Sequence, residues 1–254
     1  MRVVIVPCLR DNYAYLVIAR DGDAVVIDAS EAEPVRRALA LERVHPRAIW
    51  STHHHMDHTG GNVELASEYG IEVVGHVSDA GRLPGLTHAI EHEDRVRVGS
   101  IRALCLHVPG HTSGGVSYFV EEADAVFTGD TLFSAGCGRL LEGTPAQMAA
   151  SLSTLAALPD YVRVFSGHEY TEDNLRFAAT VEPSNQEIVS ARRRAAALRD
   201  GSKPTVGTTL DEERRTNPFL RLSSPEIRQV LSIPEASDEV TVFARVRRRK
   251  DTFR

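Results

Sequence analysis

Between Ser51 and Asn62 the chain reads STHHHMDHTGGN, which brings four histidines and an aspartate into one short segment. Imidazole nitrogens and carboxylate oxygens at this spacing can chelate a cation such as Zn, Fe or Mn. A histidine run is also common as surface decoration, so the run alone assigns nothing. Three further side chains change that balance. His111 follows CLHVPG, Asp130 follows AVFTG and His168 follows VFSG, with Gly110, Gly129 and Gly167 immediately before them. Each group falls where a β-rich run ends, and side chains at the strand ends of one sheet can converge on a crevice at its rim. Glycine suits the tight turns and close backbone approaches that such a rim requires.

Alternation sorts the cluster. In an extended segment His53 and His55 share one face while His54 points the other way, so His53 and His55 can hold one ion. Asp57 and His58 follow after Met56, where the chain turns into a helix at Gly60, and can face a second ion. Two cations about 3.5–4 Å apart, as in two-metal hydrolases, need a bridging carboxylate. Asp130 is the candidate. No pair of cysteines lies nearby, which argues against a structural thiolate zinc site. The remaining histidines, His45, His76, His88, His92 and His107, lack the strand-end context and are expected to be solvated or packed. His88 and His92, four apart, could chelate on a helix, but a polar surface is the simpler reading.

The elements that must position these groups follow from local pattern. RVVIVP, NYAYLVIA and DAVVIDA read as strands, the last two joined by a turn at RDGD. EPVRRALALE reads as a helix, and RAIWST as a strand running straight into the histidine cluster. GGNVELASEYG is a short helix and PAQMAASLSTLAAL a longer one. IEVVGH, IRALCLHV, GVSYFVE, DAVFTG and VRVFSG are further strands. From about residue 174 the pattern changes to helices and connecting loops. SNQEIVSARRRAAALRDG carries a capping-box signature, Ser184 with Glu187, and ends at Gly201. SDEVTVFARVRRRKD reads as a last helix with Ser237 as its N-cap. The expected plan is an α/β domain over residues 1–173 and a smaller helical domain over 174–254.

Composition bounds the function. The 254 residues are 42% hydrophobic and 25% charged, ordinary globular usage that allows one large domain or two modest ones. A net charge of -6 argues against general nucleic-acid binding. The opening MRVVIVPCLRDNYAYLV holds an apolar run too short for a signal peptide, interrupted by Pro7 and Asp11, and no later stretch could span a bilayer. Cys8, Cys105 and Cys137 are widely spaced and odd in number, so they make no disulfide framework, and Cys105 reads as a buried strand residue. A cytoplasmic monomer in reducing surroundings is expected.

Taken in order, THHHMDH, GHTSGG, FTGDTLF and GHEYTEDN resemble the metallo-β-lactamase superfamily. Within it the chain is most similar to the glyoxalase II (hydroxyacylglutathione hydrolase) family. The resemblance runs from LRDNYAYLV through GCGRLLEGTPAQM and TNPFLR to RRRKD. It implies an αββα sandwich with a C-terminal helical domain and two divalent ions, Zn with Fe or Mn as alternatives. It also implies that His53, His55 and His111 bind the first ion, that Asp57, His58 and His168 bind the second, and that Asp130 bridges them. The implied activity is hydrolysis of S-(2-hydroxyacyl)glutathione thioesters such as S-D-lactoylglutathione, the second step of methylglyoxal detoxification. A hydroxide shared by the ions would attack the carbonyl, so Asp57 and Asp130 act in catalysis as ligands. A thiolate, with a parent pKa of about 8.5, can depart without a proton donor. Metal chemistry alone therefore fits a thioester, whereas an amide would need an acid.

Substrate recognition is expected mainly from the helical part. Helical geometry puts Val240, Phe243 and Ala244 on one stripe, which Arg247 and Lys250 continue. The resemblance assigns Arg247 and Lys250 to the carboxylates of glutathione, and Arg139 and Tyr170 to other contacts with the tripeptide. Without it, the two basic residues would read as a frayed C-terminus. Leu141 departs from members that carry a hydroxyl-bearing aromatic there, which removes one hydrogen bond to substrate. Asp28, at the end of VVIDA, is a candidate to orient a metal ligand and reads equally well as a loop-start aspartate, and His54 is either a bystander or such an orienting group. The rival readings are a persulfide dioxygenase with one iron, a lactonase, phosphodiesterase or other thioesterase, and a nucleic-acid binder acting through the Arg-rich end. Retention of Asp57 and His58 beside a long helical tail argues against the dioxygenase. The overall acidity and the shortness of the basic run argue against the binder.

Overall fold

The computed structural model describes residues 1–253, and the alternating apolar runs do pair into sheets. The first sheet is β1 (Arg2–Cys8), β2 (Asn12–Ile18), β3 (Asp23–Ile27), β4 (His45–Trp50), β5 (Glu72–His76) and β6 (His88–Ile90), in that spatial order. β1 to β3 are antiparallel, and β3 to β6 are parallel through crossovers. Next come β7 (Arg95–Val98), β8 (Ile101–His107), β9 (Val116–Val120) and β10 (Ala125–Gly129), then a small ribbon of β11 (Leu132–Phe133) and β12 (Gly136–Cys137). With β13 (Arg163–Ser166) and β14 (Thr208–Thr209), β7 to β10 form the second sheet, ordered β14-β13-β10-β9-β8-β7.

The period-2 pattern explains why the two sheets stack. On β2, Tyr15 and Val17 point into the core between the sheets, where they join Trp50, Tyr118, Phe127 and Phe165. The alternate residues Leu16 and Ile18 face outward, onto α1 (Ala32–Glu42) and α3 (Asn62–Tyr69), which follows the single turn α2 (Met56–Thr59). The outer face of the second sheet packs under α4 (Pro145–Ala156), where Val126 and Val164 meet Met148, Leu152 and Leu155. The result is four layers, helix–sheet–sheet–helix.

Behind them follow α5 (Thr171–Val181), α6 (Gln186–Asp200), α7 (Leu210–Thr216), α8 (Pro225–Val230) and α9 (Glu239–Asp251). α5 spans residues 173 and 174, and Phe219, Val242, Phe243 and Val246 share the cluster built on α4 and the second sheet. Among the described residues no helix is long and apolar enough to cross a membrane.

Several local expectations shift. α6 is capped by Asn185, whose side chain accepts from the Glu187 amide at 3.0 Å, because Ser184 is taken by Glu226 at 2.8 Å. α9 starts one residue later than its signature suggested, with Asp238 accepting from the Thr241 amide at 2.7 Å in place of Ser237. Its buried stripe is Val242, Phe243, Val246 and Arg247, since this face packs on α4, and Val240 is left 39% exposed. His88 lies on the strand β6 and is exposed, so no helix pairs it with His92.

Candidate metal centre

β4 ends at Trp50, and Ser51 to His55 leave it as a loop rather than as extended strand. The alternation expected for the three histidines therefore has a different cause. The Thr52 carbonyl accepts from the Val116 amide of the opposite sheet at 2.8 Å, so the loop is tied across both sheets. Asp28, just past β3, accepts from the Thr52 amide and hydroxyl, both at 2.7 Å. The Thr52 hydroxyl lies 3.0 Å from Nδ1 of His53, which leaves Nε2 of His53 facing inward. The single turn of α2 then brings Asp57 and His58 round to the same side.

Seven side chains converge at this rim. Nδ1 of His55 lies 3.0 Å from Nε2 of His53 and 3.2 Å from Nε2 of His111. A second group joins Nε2 of His58 to Nε2 of His168 at 3.3 Å, with Oδ2 of Asp57 3.5 Å from the latter. Asp130 stands between them. Its Oδ2 is 3.4 Å from His111 and 3.3 Å from His168, and its Oδ1 is 3.4 Å from His58. The triads His53–His55–His111 and Asp57–His58–His168 each have ligand atoms close enough to share one ion. Asp28, His53 and His58 also lie that close together, but Asp28 approaches His58 through Nδ1, on the far side of the ring from the cluster.

Gly167 makes room for this convergence. A Cβ there would sit 2.4 Å from Cε1 of His58 and 2.6 Å from Oδ1 of Asp130.

The electrostatics differ between the two triads. Burial, reinforced by the neighbouring His58, drives the His53 pKa well below the ordinary imidazole value, and burial with His111 lowers that of His55. These rings are neutral and offer lone pairs. Burial opposes a charge on His58 too, but Asp130 and Asp28 outweigh it and hold its pKa well above the usual value. Burial likewise resists ionisation of Asp130, yet His58 and His168 keep that carboxyl well below the usual carboxylate range.

The donors fit divalent cations. Three imidazole nitrogens pointing at one another cannot all be satisfied by the protons they could share, and Oδ1 of Asp130 is buried without a hydrogen-bond partner. Five imidazoles and two carboxylates, with no thiol among them, make a set suited to Zn, Fe or Mn.

Around the ligands lie groups that fix them. His58 Nδ1 faces Asp28 at 2.9 Å, and His111 Nδ1 donates to the Arg139 carbonyl at 2.9 Å. His54 turns away from both triads towards Asp79 at 3.2 Å and Glu142 at 3.7 Å, and Arg82 binds both of these carboxylates. Asp11 and Asn12 were not expected here. Asn12 donates to the Asp57 carbonyl and to its Oδ2, and Asp11 accepts from Nδ1 of His168. Their signal in the sequence was only an Asp-Asn pair before a strand, at the same rim as the other strand ends.

A groove of about 310 Å³ runs from His111 and Asp130 past Arg139 and Tyr170 to Arg247, Lys250 and Phe253. The Tyr170 ring stacks on His168 at 4.7 Å with a 3° interplanar angle, and burial helps push its phenol up to about 12, so the hydroxyl stays a donor. Lys250 pairs with Asp173 at 2.7 Å beside the Phe253 ring. Arg247 is only 5% exposed, donates to the Cys137 carbonyl at 2.8 Å and to Asp251 at 3.0 Å, and lies over Phe219. It is therefore a packed wall of the groove as well as a cation in it. Leu141, at 55% exposed, offers no polar atom from its side chain.

Residues 9–168 match the model of the metallo-beta-lactamase superfamily, and residues 169–253 match that of the hydroxyacylglutathione hydrolase C-terminus. The chain is 46% identical to a hydroxyacylglutathione hydrolase of Synechococcus sp. (strain JA-3-3Ab), with 100% of each covered. It is also 46% identical to that of Methylococcus capsulatus, over 100% of this chain and 99% of the relative. Among solved structures it is similar to the BLEG-1 B3 metallo-beta-lactamase, with a TM-score of 0.67 and 26% identity over 86% of this chain and 99% of that one. ETHE1 from Myxococcus xanthus gives 0.64 and 26% over 94% and 95%. TTHA1623 in a di-iron-bound form gives 0.61 and 29% over 85% and 98%.

Proposed function

The chain belongs to the hydroxyacylglutathione hydrolase family of the metallo-β-lactamase superfamily, and from that premise we propose that it hydrolyses S-(2-hydroxyacyl)glutathione thioesters to glutathione and a 2-hydroxy acid. One observation carries the reading from family to substrate. A single groove joins His111 and Asp130 at one end to the cations Arg139, Arg247 and Lys250 at the other. Its volume suits a small anionic molecule whose reacting carbonyl and carboxylates are far apart.

His53, His55 and His111 would hold one divalent cation, Asp57, His58 and His168 a second, and Asp130 would touch both, with Zn, Fe and Mn all compatible with the donors. Cations bound there supply hydroxide at neutral pH and polarise a carbonyl oxygen. The chain's own residues do the rest. Asp28 fixes the His58 tautomer through Nδ1 and holds the Thr52 loop that carries His53. Tyr170 and Phe133 cover the His168 side with aromatic rings and keep water from it. Arg139, Arg247 and Lys250 bind the carboxylates of the tripeptide, so that the thioester lies over Asp130. The thiolate needs no proton on leaving, which agrees with a groove that places no carboxylic acid or histidine outside the ligands at its reacting end.

We further propose that the catalytic part is residues 1–173 and the substrate-binding part 174–254, because all seven candidate metal ligands precede residue 174 while Arg247 and Lys250 follow it. The buried, unpaired Cys8, Cys105 and Cys137 suit a reducing cytoplasm, and a groove completed by one chain suits a monomer. The test is turnover. Zinc-loaded protein should consume S-D-lactoylglutathione, followed by loss of thioester absorbance, and should act far more weakly on the S-lactoyl thioester of a thiol that lacks carboxylates. Equal efficiency on both would remove glutathione from the reading.

A further inference from the structure

The turn Leu9–Asp11 that joins β1 to β2 lies at the metal rim, where it meets one ligand from each half of the sandwich. Asn12, buried and paired with Cys8 at the base of this hairpin, donates through Nδ2 to the Asp57 carbonyl at 3.0 Å and to Asp57 Oδ2 at 3.2 Å. Asp11 accepts from Nδ1 of His168 at 3.0 Å, which leaves Nε2 of that ring as the lone pair facing Asp57 and His58. The backbone seals the junction, since the Tyr13 amide donates to the Gly167 carbonyl at 2.9 Å and the Glu169 amide to the Asp11 carbonyl at 2.8 Å. Asp57 comes from the turn α2 that follows β4 of the first sheet, and His168 from the loop after β13 in the second. The hairpin tip thus sets the span between two ligands that no single sheet could fix.

This support is one-sided. Asp28 serves both triads, reaching His58 directly and His53 through Thr52. The side chains of Asp11 and Asn12 bond to Asp57 and His168 and to no member of the His53–His55–His111 triad. We propose that Asp11 and Asn12 are positioning residues for the Asp57–His58–His168 triad, and that they set the affinity of its cation independently of the other. The inference rests on the two-cation reading of the site. Polar groups that orient metal ligands commonly account for about 10–100-fold in affinity. The backbone bonds of the hairpin do not depend on either side chain, so the alanine variants are expected to keep the fold, which their unfolding curves check.

The experiment titrates metal-free protein with Co2+ against a competing chelator, counting bound equivalents and following the visible spectrum, with thermal unfolding of each metal-free variant alongside. Asp11→Ala and Asn12→Ala should each weaken one of the two equivalents about 10–100-fold and leave the other as in the parent chain. Asp11→Asn keeps an acceptor for the His168 ring and should restore most of the loss. Unchanged affinity for both equivalents in both alanine variants overturns the proposal. So does weakening of both equivalents by the same factor, which would mark a general structural role. A parent chain that takes up fewer than two equivalents would overturn the two-cation reading itself, a result distinct from the other two.

Discussion

Replacing Asp28 separates the scaffold of the site from its metals. The carboxylate is buried, accepts from the Thr52 amide and hydroxyl at 2.7 Å, and faces Nδ1 of His58 at 2.9 Å. Hydrogen bonds to a charged group are worth about 1.5–3 kcal/mol each. Three bonds on one carboxylate do not add, because they share its desolvation cost. Breaking such a buried pair by removing one partner costs about 3–5 kcal/mol, and here the Thr52 amide is stranded as well. Asp28 also sits at φ 51°, a left-handed conformation that costs alanine about 1–2 kcal/mol and that aspartate and asparagine adopt more readily. A chain of this size loses about 2–4 °C in Tm per kcal/mol, so a loss of about 3–5 kcal/mol lowers the Tm of metal-free Asp28→Ala by about 6–20 °C. Asp28→Asn keeps an acceptor for Thr52 and should lose about half as much. The assay is thermal unfolding by circular dichroism in the presence of a chelator. Metal-free Asp28→Ala melting within about 2 °C of the parent would mean that these three buried bonds carry no weight.

Other consequences are as specific. Lys250→Ala should raise KM for the glutathione thioester far more than it lowers kcat, while Arg247→Ala should raise KM and also lower Tm, since its guanidinium is packed on Cys137 and Phe219; steady-state kinetics with unfolding curves tell the two apart. Gly167→Ala should fold yet bind metal poorly, because the new methyl meets His58 and Asp130 at 2.4 and 2.6 Å; metal analysis after dialysis measures it. Glu213 is buried, and desolvation raises its pKa to about 7 against hydrogen bonds from Thr208, Ala135 and Asn217 that pull the other way. Between its unfolded value of 4.5 and about 7 the native state binds more protons than the unfolded chain, so its contribution to stability falls as pH rises and is gone above about 7. The loss is about 3 kcal/mol at most. Glu213→Gln should remove that slope, and urea unfolding at pH 5 and pH 8 reads it.

What the sequence revealed was largely what a strand end and a residue type can tell. His111, Asp130 and His168 stood out because each follows a glycine at the close of an apolar run, and those runs end at one rim. The sorting of His53, His54 and His55 came out as alternation would give it, although the chain there is a loop, because Asp28, Thr52 and the Asp79–Arg82–Glu142 cluster turn the rings. None of these tertiary partners is marked by local pattern. The α9 stripe was misplaced because helical spacing leaves several faces open, and only packing on α4 selects Val242 and Val246 over Val240. Asp11 and Asn12 were legible only as a break in an apolar run, since their partners lie 157 and 45 residues away.

The proposed thioester hydrolysis would need two cations held by the seven converging side chains. Its most direct test is to add Zn2+ stepwise to metal-free protein while recording bound metal and turnover of S-D-lactoylglutathione on the same samples. Turnover should be absent without metal, reach its plateau as the second equivalent binds, and remain absent in Asp130→Ala at every ratio. Full turnover by metal-free protein, or none by protein carrying two equivalents, would contradict it.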